Sequence, residues 1–275
     1  MTTTSPAVAL ARAEWTKWTS IRQTATYGGS AVGLSVLITA LLAMAMQHAH
    51  ATCAAPEATC SKPPIVAPES VVTAGLLGDG TPGAGLIALM LLGAATILVE
   101  YRFGTMGSTF LVAPRRSMVV GVKAALTFVV AWVLAAVAAV TSGVVFDLLG
   151  GGAARDINPW SASILAMSVK GALVVAVASV GGVALAALLR NAIAVVTLVV
   201  MWPLVLEPLL PSFVPGSGET VAGLLPFVNA RYFVGLGDAG AAIPWGPGPA
   251  GAYFTAWMAA LLFAGILVTR RTTVR

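Results

Sequence analysis

The residue types that can do chemistry are few, and four of them lie close together near one end of an apolar stretch. His48, His50, Cys53 and Cys60 offer the imidazole and thiolate groups that zinc prefers. Their spacing matches no familiar zinc pattern, so a disulfide between Cys53 and Cys60 is the favoured interpretation for a segment outside a bacterial membrane. Free thiols and a metal site are the alternatives.

The motifs of nucleotide and acyl-transfer chemistry are missing from the sequence. None of the four lysines follows a glycine, so no Walker A phosphate loop exists, and no G-x-S-x-G elbow is present. Lys170 is the one clear charge inside a predicted span; the favoured interpretation is that its ammonium extends to the membrane surface, and a role in a transport path is the alternative. Glu207 lies at the outer end of the fifth span and is only a peripheral candidate. We expect no catalytic residues and no cofactor in this chain.

The composition requires a membrane. Of the 275 residues, 58% are hydrophobic and 9% are charged, and the mean hydropathy is +0.93. A soluble domain carries roughly 25% charged residues, so soluble enzymes, disordered chains and collagen are excluded. The net charge of +5 bears on membrane orientation rather than on a nucleic-acid partner, which we do not expect.

Six long intervals without charge predict the transmembrane architecture. A membrane helix needs about 20 apolar residues, and six intervals between charged residues contain 16 to 34 residues each. The apolar runs are continuous, which excludes a membrane barrel. We predict an all-α polytopic membrane protein, one transmembrane domain over 1–275. Its spans are expected near 28–46, 81–99, 119–141, 165–188, 191–209 and 251–269. The fifth is the least regular, because Trp202-Pro203 and Glu207-Pro208 interrupt its end.

The positive charges set the expected orientation. With the N-terminus in the cytoplasm, 11 lysines and arginines lie inside and 3 outside. Both termini are therefore expected to be cytoplasmic, in a bacterial cytoplasmic membrane. The first span is expected to remain attached rather than to be cleaved as a signal peptide, because 27 residues precede it. Its Gly29-x-x-x-Gly33 pattern permits close helix contact.

The leader, residues 5–24, is predicted to form a helix lying on the membrane surface. Ser5-Pro6 is a helix start signal, and Val8, Ala11, Trp15 and Trp18 share one face at helical spacing. Tryptophan beside basic residues suits the headgroup layer. The residues assigned to this interfacial helix are Glu14, Trp15, Lys17, Trp18 and Arg22.

The segment 100–116 is the most informative loop. Gly104 can end the second span, Thr105 can cap a new short helix, and Pro114 can stop it. This loop is longer than a hairpin needs and contains the apolar residues Phe110 and Leu111, so we expect it to contact a partner.

Two segments on the other side are long. The loop 47–80 contains both cysteines, and the segment 210–250 is rich in proline and glycine. The apolar pieces 221–225 and 232–236 are too short to span a membrane, so we expect re-entrant or interfacial helices there.

Two motifs carry a resemblance to a known family. The leader Arg12-Ala13-Glu14-Trp15-x-Lys17 with Arg22, and the loop Glu100-Tyr101-Arg102-x-Gly104-Thr105 … Pro114-Arg115-Arg116 followed by Lys123, resemble the permease subunit of ABC-2-type (type V) exporters. The resemblance covers essentially the whole chain, and the cysteine-bearing loop departs from the family pattern.

The resemblance implies a pair of permeases, either two copies or two homologous chains, with two cytoplasmic ABC ATPase subunits that hold ATP and Mg²⁺. The leader would be the elbow helix, 100–116 would contain the coupling helix, and 210–250 would form re-entrant helices that close the path outside. The residues assigned to ATPase coupling are Glu100, Tyr101, Arg102, Gly104, Thr105, Phe110, Leu111, Arg115 and Arg116. ATP-driven export of a drug-, peptide- or lipid-like molecule is the expected function. The alternatives are a secondary carrier or channel, and a membrane enzyme using His48, His50 or Glu207.

Overall fold

The protein is described by a computed structural model that covers residues 6–20, 22–53, 70–78, 83–112, 115–237 and 241–271. Across these ranges the chain is helical and contains no strand. In chain order the α-helices are α1 (Pro6–Ser20), α2 (Arg22–Cys53), α3 (Val71–Leu77), α4 (Ala84–Arg102), α5 (Met106–Val112), α6 (Arg116–Leu149), α7 (Gly151–Asp156), α8 (Ala162–Leu189), α9 (Ala192–Met201), α10 (Glu207–Leu209), α11 (Gly218–Gly223), α12 (Pro226–Val234) and α13 (Pro247–Arg271).

Six helical stretches in the described chain are long and apolar enough to cross a membrane, which confirms the predicted number. They are Ala25–Ala51, Ala84–Arg102, Arg116–Leu149, Ala162–Leu189, Ala192–Phe213 and Pro247–Arg271. The chain is therefore a helical membrane protein. Several helices extend past the predicted spans, because charged residues such as Arg116 and Asp147 lie within a helix instead of outside it.

The central helix of the bundle is α8, which packs against α4, α6 and α13. Its sequence is rich in alanine, glycine and valine, so neighbouring backbones approach closely, as small residues allow in membrane helices. A Cβ on Gly182 would overlap the carbonyl oxygen of Met90, and a Cβ on Gly93 would overlap that of Ser179. The interface between α4 and α8 therefore requires glycine on both helices.

The short helix α3 lies inside the bundle, although the sequence analysis placed it in an outer loop. All seven of its residues are buried, and it packs against α2, α6 and α8. A Cβ on Gly75 would overlap the backbone of Ser35, so glycine is required for this close approach. The apolar run of α3 is too short to be recognised as a membrane segment, which is why only the structure reveals it.

The fifth span is continuous but irregular, as predicted. After α9 the chain forms a π-helical turn at Trp202–Leu206, then α10, then a 3-10 turn at Leu210–Phe213. Proline has no N–H to donate, so the regular helical hydrogen bonds are interrupted here. In the π-helical turn the Glu207 N–H instead donates to the carbonyl oxygen of Trp202, five residues earlier.

The structure contradicts one predicted helix contact, and it does not test the predicted disulfide. A Cβ on Gly29 or Gly33 would meet no atom within 4 Å, so this pair makes no close helix contact within the described chain. The predicted bond between Cys53 and Cys60 is not tested, because the side chain of Cys53 and the whole of Cys60 lie outside the described part. The side chain of Arg22 also lies outside it.

The glycine contacts give the first testable prediction. Gly182→Ala forces α4 and α8 apart, and we expect a loss of about 1–3 kcal/mol in stability, measured as a lower Tm in detergent. The matched control Gly33→Ala should leave Tm unchanged or raise it slightly, because alanine favours helix over glycine. Equal melting temperatures for the two variants would contradict the close packing of α8.

Candidate functional site

Four charged side chains from three helices form a closed ring of alternating sign. The Lys123 ammonium on α6 donates to Glu14 Oε2 at 2.6 Å and to Glu100 Oε1 at 2.9 Å. The Lys17 ammonium on α1 donates to Glu14 Oε1 at 3.0 Å and to Glu100 Oε1 at 2.8 Å. Each lysine thus bonds both carboxylates, and the ring ties α1 to the last turn of α4 and the second turn of α6.

Three members of the ring are removed from solvent. Lys123 and Glu14 are each 1% exposed and Glu100 is 6% exposed, whereas Lys17 lies at the rim. Burial of a single ion costs several kcal/mol, so such residues are stable inside a protein only when opposite charges surround them. The two positive and two negative charges sum to zero, which lets the cluster exist away from water.

The rim lysine remains charged. Burial alone would lower the pKa of the Lys17 ammonium, but its hydrogen bonds and charge interactions with Glu100 and Glu14 outweigh burial and raise that pKa above the ordinary lysine value. The stability that this raised pKa provides is fully present below the ordinary lysine value and is lost only as the pH rises through the higher folded value. Lys17 is therefore protonated at neutral pH.

The orientation of α1 follows from the ring and differs from the predicted one. The sequence analysis placed Trp15 and Trp18 on one apolar face and the charges elsewhere. In the structure Glu14 and Trp18, one turn apart, face the bundle, and Trp18 joins the main core. Trp15 is 51% exposed. The ion pairs decide which side of α1 is buried.

The short helix α5 forms where the sequence predicted it. The turn before it contains Gly104 at φ 67°, a left-handed conformation that suits glycine. Met106 and Phe110 are buried in a small core with Val119, and Leu10 of α1 packs against them. The helix is therefore held by α1 and α6.

The two apolar residues assigned to partner contact lie on different sides of α5. Phe110 is 9% exposed, and the Arg116 guanidinium lies 5.1 Å from its ring centroid. Leu111 is 86% exposed, and Phe103 in the preceding turn is 68% exposed. Phe110 is therefore a core residue of the loop, whereas Leu111 and Phe103 are its exposed apolar residues.

Four of the other residues assigned to coupling are also exposed. Arg102 is exposed beside the ring of Phe103, and Gly104, Thr105 and Arg115 are also exposed. Tyr101 is half-buried. It packs against the small core of Met106, Phe110 and Val119, and the Arg190 guanidinium in the turn between α8 and α9 also lies beside its ring.

That turn holds a residue that the sequence analysis did not single out. Arg190 has φ 54°, and it is the single non-glycine residue with positive φ in the described chain. Its guanidinium lies 5.6 Å from the Tyr101 ring centroid and donates to the carbonyl oxygen of Val268 in α13. Arg190 thus connects the ends of α4, α8 and α13, and no sequence pattern signals this conformation.

A second polar site lies at the opposite end of the bundle. Glu207 is 3% exposed, and its Oε1 accepts a hydrogen bond from the Val228 N–H at the start of α12, at 2.8 Å. The buried Asn229 amide donates to the carbonyl oxygens of Gly223 and Leu225, and Trp245 Nε1 donates to its Oδ1. Glu207 is therefore an internal anchor for α12 rather than a peripheral residue.

The other candidates from the sequence lie apart from both sites. Lys170 is exposed on α8, with its ammonium 5.7 Å from the Phe233 ring centroid. His48 and His50 belong to α2, and the described residues contain no group of three His, Cys, Asp or Glu side chains that could hold a metal ion. The cysteines of the alternative metal site lie outside this search.

No protein-family model matches the chain, and no curated protein matches it by sequence. Function is therefore inferred from the residues and their geometry.

The charge ring gives the second prediction. Lys123→Met leaves Glu14 and Glu100 with Lys17 as their remaining partner from the ring, and breaking a buried ion pair typically costs about 3–5 kcal/mol. We expect a correspondingly lower Tm in detergent. Adding Glu14→Gln to Lys123→Met removes an uncompensated charge, so the double variant should be more stable than the sum of the single losses indicates.

The control for this experiment is Lys170→Met, which removes an exposed lysine from a membrane helix and should change Tm little. Similar melting temperatures for Lys123→Met and Lys170→Met would argue against a structural role for the ring.

Proposed function

We propose that the chain is the permease subunit of an ATP-driven exporter of the ABC-2 (type V) class, acting on a drug-, peptide- or lipid-like substrate. The observation that carries the proposal is the buried charge ring, which fixes α1, α4 and α6 at the base of the exposed helix α5. A subunit without its own phosphate loop needs a surface that receives mechanical work from an ATPase, and a rigid base makes such a surface effective.

In this proposal the elements have distinct roles. The leader helix α1 is the elbow helix, α5 is the coupling helix, and α11 and α12 belong to the outer segment that closes the path. Two ABC ATPase subunits dock at the α5 end, and a second permease, identical or homologous, completes the path through the bilayer. ATP and Mg²⁺ are held by the ATPase subunits.

The chemistry of α5 supports docking of a protein. Leu111 and Phe103 are exposed apolar residues of the 100–116 segment, and Arg102 and Arg115 of the same segment are exposed as well. Apolar residues ringed by charged ones are typical of protein contacts. Met106 and Phe110 of α5 are buried against α1 and α6, so Leu111 is presented in one orientation.

One observation favours a second candidate, a proton-coupled carrier that works without ATP. Glu207 is a buried carboxyl in a membrane-spanning stretch, and its Oε2 has no hydrogen-bond partner among the described residues. Intramembrane carboxyl groups often carry protons in transporters. Substrate uptake by purified chain in proteoliposomes with a pH gradient and no ATPase would favour this candidate.

The third prediction concerns orientation. In a background without Cys53 and Cys60, single cysteines are placed at Ser217 and Thr273. A cytoplasmic N-terminus places 11 of the basic residues inside, as membrane proteins prefer. We therefore expect an impermeant maleimide added to intact cells to label Ser217→Cys only. Labelling of Thr273→Cys before the membrane is opened would disprove a cytoplasmic C-terminus.

The fourth prediction tests the coupling surface. Removing one apolar anchor from an interface commonly costs about 1–4 kcal/mol. We therefore expect Leu111→Ala to lower the ATPase activity that copurifies with the tagged chain from native membranes by roughly tenfold or more, with an unchanged Tm. Phe110→Ala should instead lower Tm, because Phe110 belongs to the loop core.

The matched control is Leu148→Ala, which makes the same change at a residue 75% exposed at the opposite end of α6. It should leave the copurifying ATPase activity unchanged. If Leu111→Ala and Leu148→Ala retain equal ATPase activity, the exposed surface of α5 does not bind the ATPase.

A further inference from the structure

Two arginines at the α5 end are held against aromatic rings that belong to one small core. The Arg190 guanidinium lies 5.6 Å from the ring centroid of Tyr101, and the Arg116 guanidinium lies 5.1 Å from that of Phe110. Tyr101 packs against the core that contains Phe110. A planar guanidinium on an aromatic face is already oriented, so it loses little further freedom when it binds a ligand. Both charges are therefore positioned around this core in advance.

The Tyr101 hydroxyl lies within electrostatic reach of both guanidinium groups. It makes no hydrogen bond within the described part of the chain, although the side chain is half-buried. The hydroxyl of a buried tyrosine usually has a hydrogen-bond partner. A guanidinium has donors and no acceptor, so neither arginine can accept the hydroxyl proton. The arrangement suits a ligand with several acceptor oxygens.

The charge of this region also suits an anion. Among the described residues at the α5 end, the acidic ones are Glu14 and Glu100, and both are bound by the two lysines of the ring. The ring is neutral as a whole, so Arg116 and Arg190 leave the region beside it with a net positive charge. Such a region attracts groups with net negative charge.

The three residues lie at the level where membrane spans end. Tyr101 is one residue from the end of the second span, Arg116 is the first residue of the third, and Arg190 directly follows the fourth. The phosphate groups of a lipid leaflet lie at this level, just outside the hydrocarbon. Ile193, one turn after Arg190 on α9, is 80% exposed. The acyl chains of a lipid can therefore lie beside α9 while its headgroup reaches Arg190.

We propose that Tyr101, Arg116 and Arg190 bind the phosphate group of an anionic phospholipid from the adjacent leaflet. Guanidinium and hydroxyl groups donate strong hydrogen bonds to phosphate oxygens. A guanidinium has five N–H donors, so Arg190 can bond the Val268 carbonyl and a phosphate at the same time. Basic sites between helices at the membrane surface recognise anionic headgroups, and the net positive charge disfavours the cationic choline of phosphatidylcholine.

A lipid phosphate fits this site better than an acidic group of the ATPase. Tyr101 and Arg116 are half-buried at span ends, beside the core on the buried side of α5. Leu111, assigned to ATPase contact, is 86% exposed on a different side of α5. A protein that docks on Leu111 approaches from the aqueous side, whereas a headgroup reaches the span ends from within the leaflet.

The experiment uses the full chain, purified in detergent without an ATPase and depleted of lipid. Dioleoyl phosphatidylglycerol and dioleoyl phosphatidylcholine are titrated separately, and the first bound lipid is quantified by native mass spectrometry. We expect phosphatidylglycerol to bind about fivefold more tightly or better, because the site adds charge-assisted hydrogen bonds to a net negative headgroup. Inorganic phosphate at millimolar concentration should not displace it, since phosphate lacks acyl chains.

Two variants separate lipid binding from a structural role. Tyr101→Phe removes the hydroxyl and keeps the ring, so the affinity for phosphatidylglycerol should fall about fivefold with an unchanged Tm in lipid-free detergent. Arg190→Gly removes a guanidinium, and glycine suits the φ of 54° at this position. Its affinity should fall roughly tenfold or more. If Arg190→Gly does not fold, Tyr101→Phe alone decides.

The matched control is Arg271→Gln, which removes an exposed arginine at the same end of the bundle, on α13. Its affinity for phosphatidylglycerol should change by less than about twofold, because an exposed charge is screened by solvent and salt. This control distinguishes the three-residue site from the general attraction between a basic membrane surface and anionic lipid.

Four results would overturn the proposal. The first two are equal affinities for the two lipids, and equal losses in Arg190→Gly and Arg271→Gln. The third is displacement of phosphatidylglycerol by inorganic phosphate, which would assign the site to free phosphate. The fourth is unchanged lipid affinity in Arg190→Gly together with a loss of copurifying ATPase activity, which would assign it to the ATPase. Lipid binding by the isolated chain does not depend on the exporter proposal.

Discussion

The arrangement of the helices at the α5 end depends on one constraint, the neutralisation of buried charge. Glu14, Glu100 and Lys123 are all nearly inaccessible, and none could remain charged there alone at an acceptable free energy. Because each lysine bonds both carboxylates, a shift of one helix would break contacts to the other two. The ring therefore selects a single placement of α1, α4 and α6. Burying these charges costs free energy, and the ion pairs that offset this cost restrict the three helices to one arrangement, whether or not the cluster adds net stability.

The rest of the bundle is held by different means at different depths. In the middle, close approach of α4 and α8 over Gly93 and Gly182 replaces side chains by backbone contact. At the end away from α5, hydrogen bonds predominate: Glu207 binds the start of α12, and the Tyr253 hydroxyl donates to the Leu224 carbonyl. Ion pairs thus hold the end of the bundle that is proposed to contact the ATPase, and hydrogen bonds hold the end that is proposed to close the path.

The sequence predicted what short-range patterns determine. Six long apolar intervals gave six spans, and the prolines after α9 indicated an irregular fifth span. Gly104, Thr105 and Pro114 predicted a short helix in the 100–116 segment, and that segment contains α5. Partners distant in sequence were not predicted: Glu14, Glu100 and Lys123 were all noted, but no periodicity shows that one lysine bonds two carboxylates 109 and 23 residues away.

Other features lay outside the reach of sequence patterns for separate reasons. Helix α3 has seven residues, too few to be distinguished from an apolar stretch of loop. The side of α1 that is buried is set by ion pairs rather than by its tryptophans. The positive φ of Arg190 is a tertiary property, because arginine has no intrinsic preference for that conformation.

The contacts at the α5 end define what a force applied there would move. Phe110 and Met106 join α5 to Val119 of α6 and to Leu10 of α1, so α5 has no independent path of motion within the described chain. The ring extends this unit to the end of α4 through Glu100. The next residue, Tyr101, lies beside Arg190, which also holds α13 through Val268. If an ATPase binds the exposed Leu111 surface, its motion would reach the ends of α1, α4, α6, α8 and α13 together.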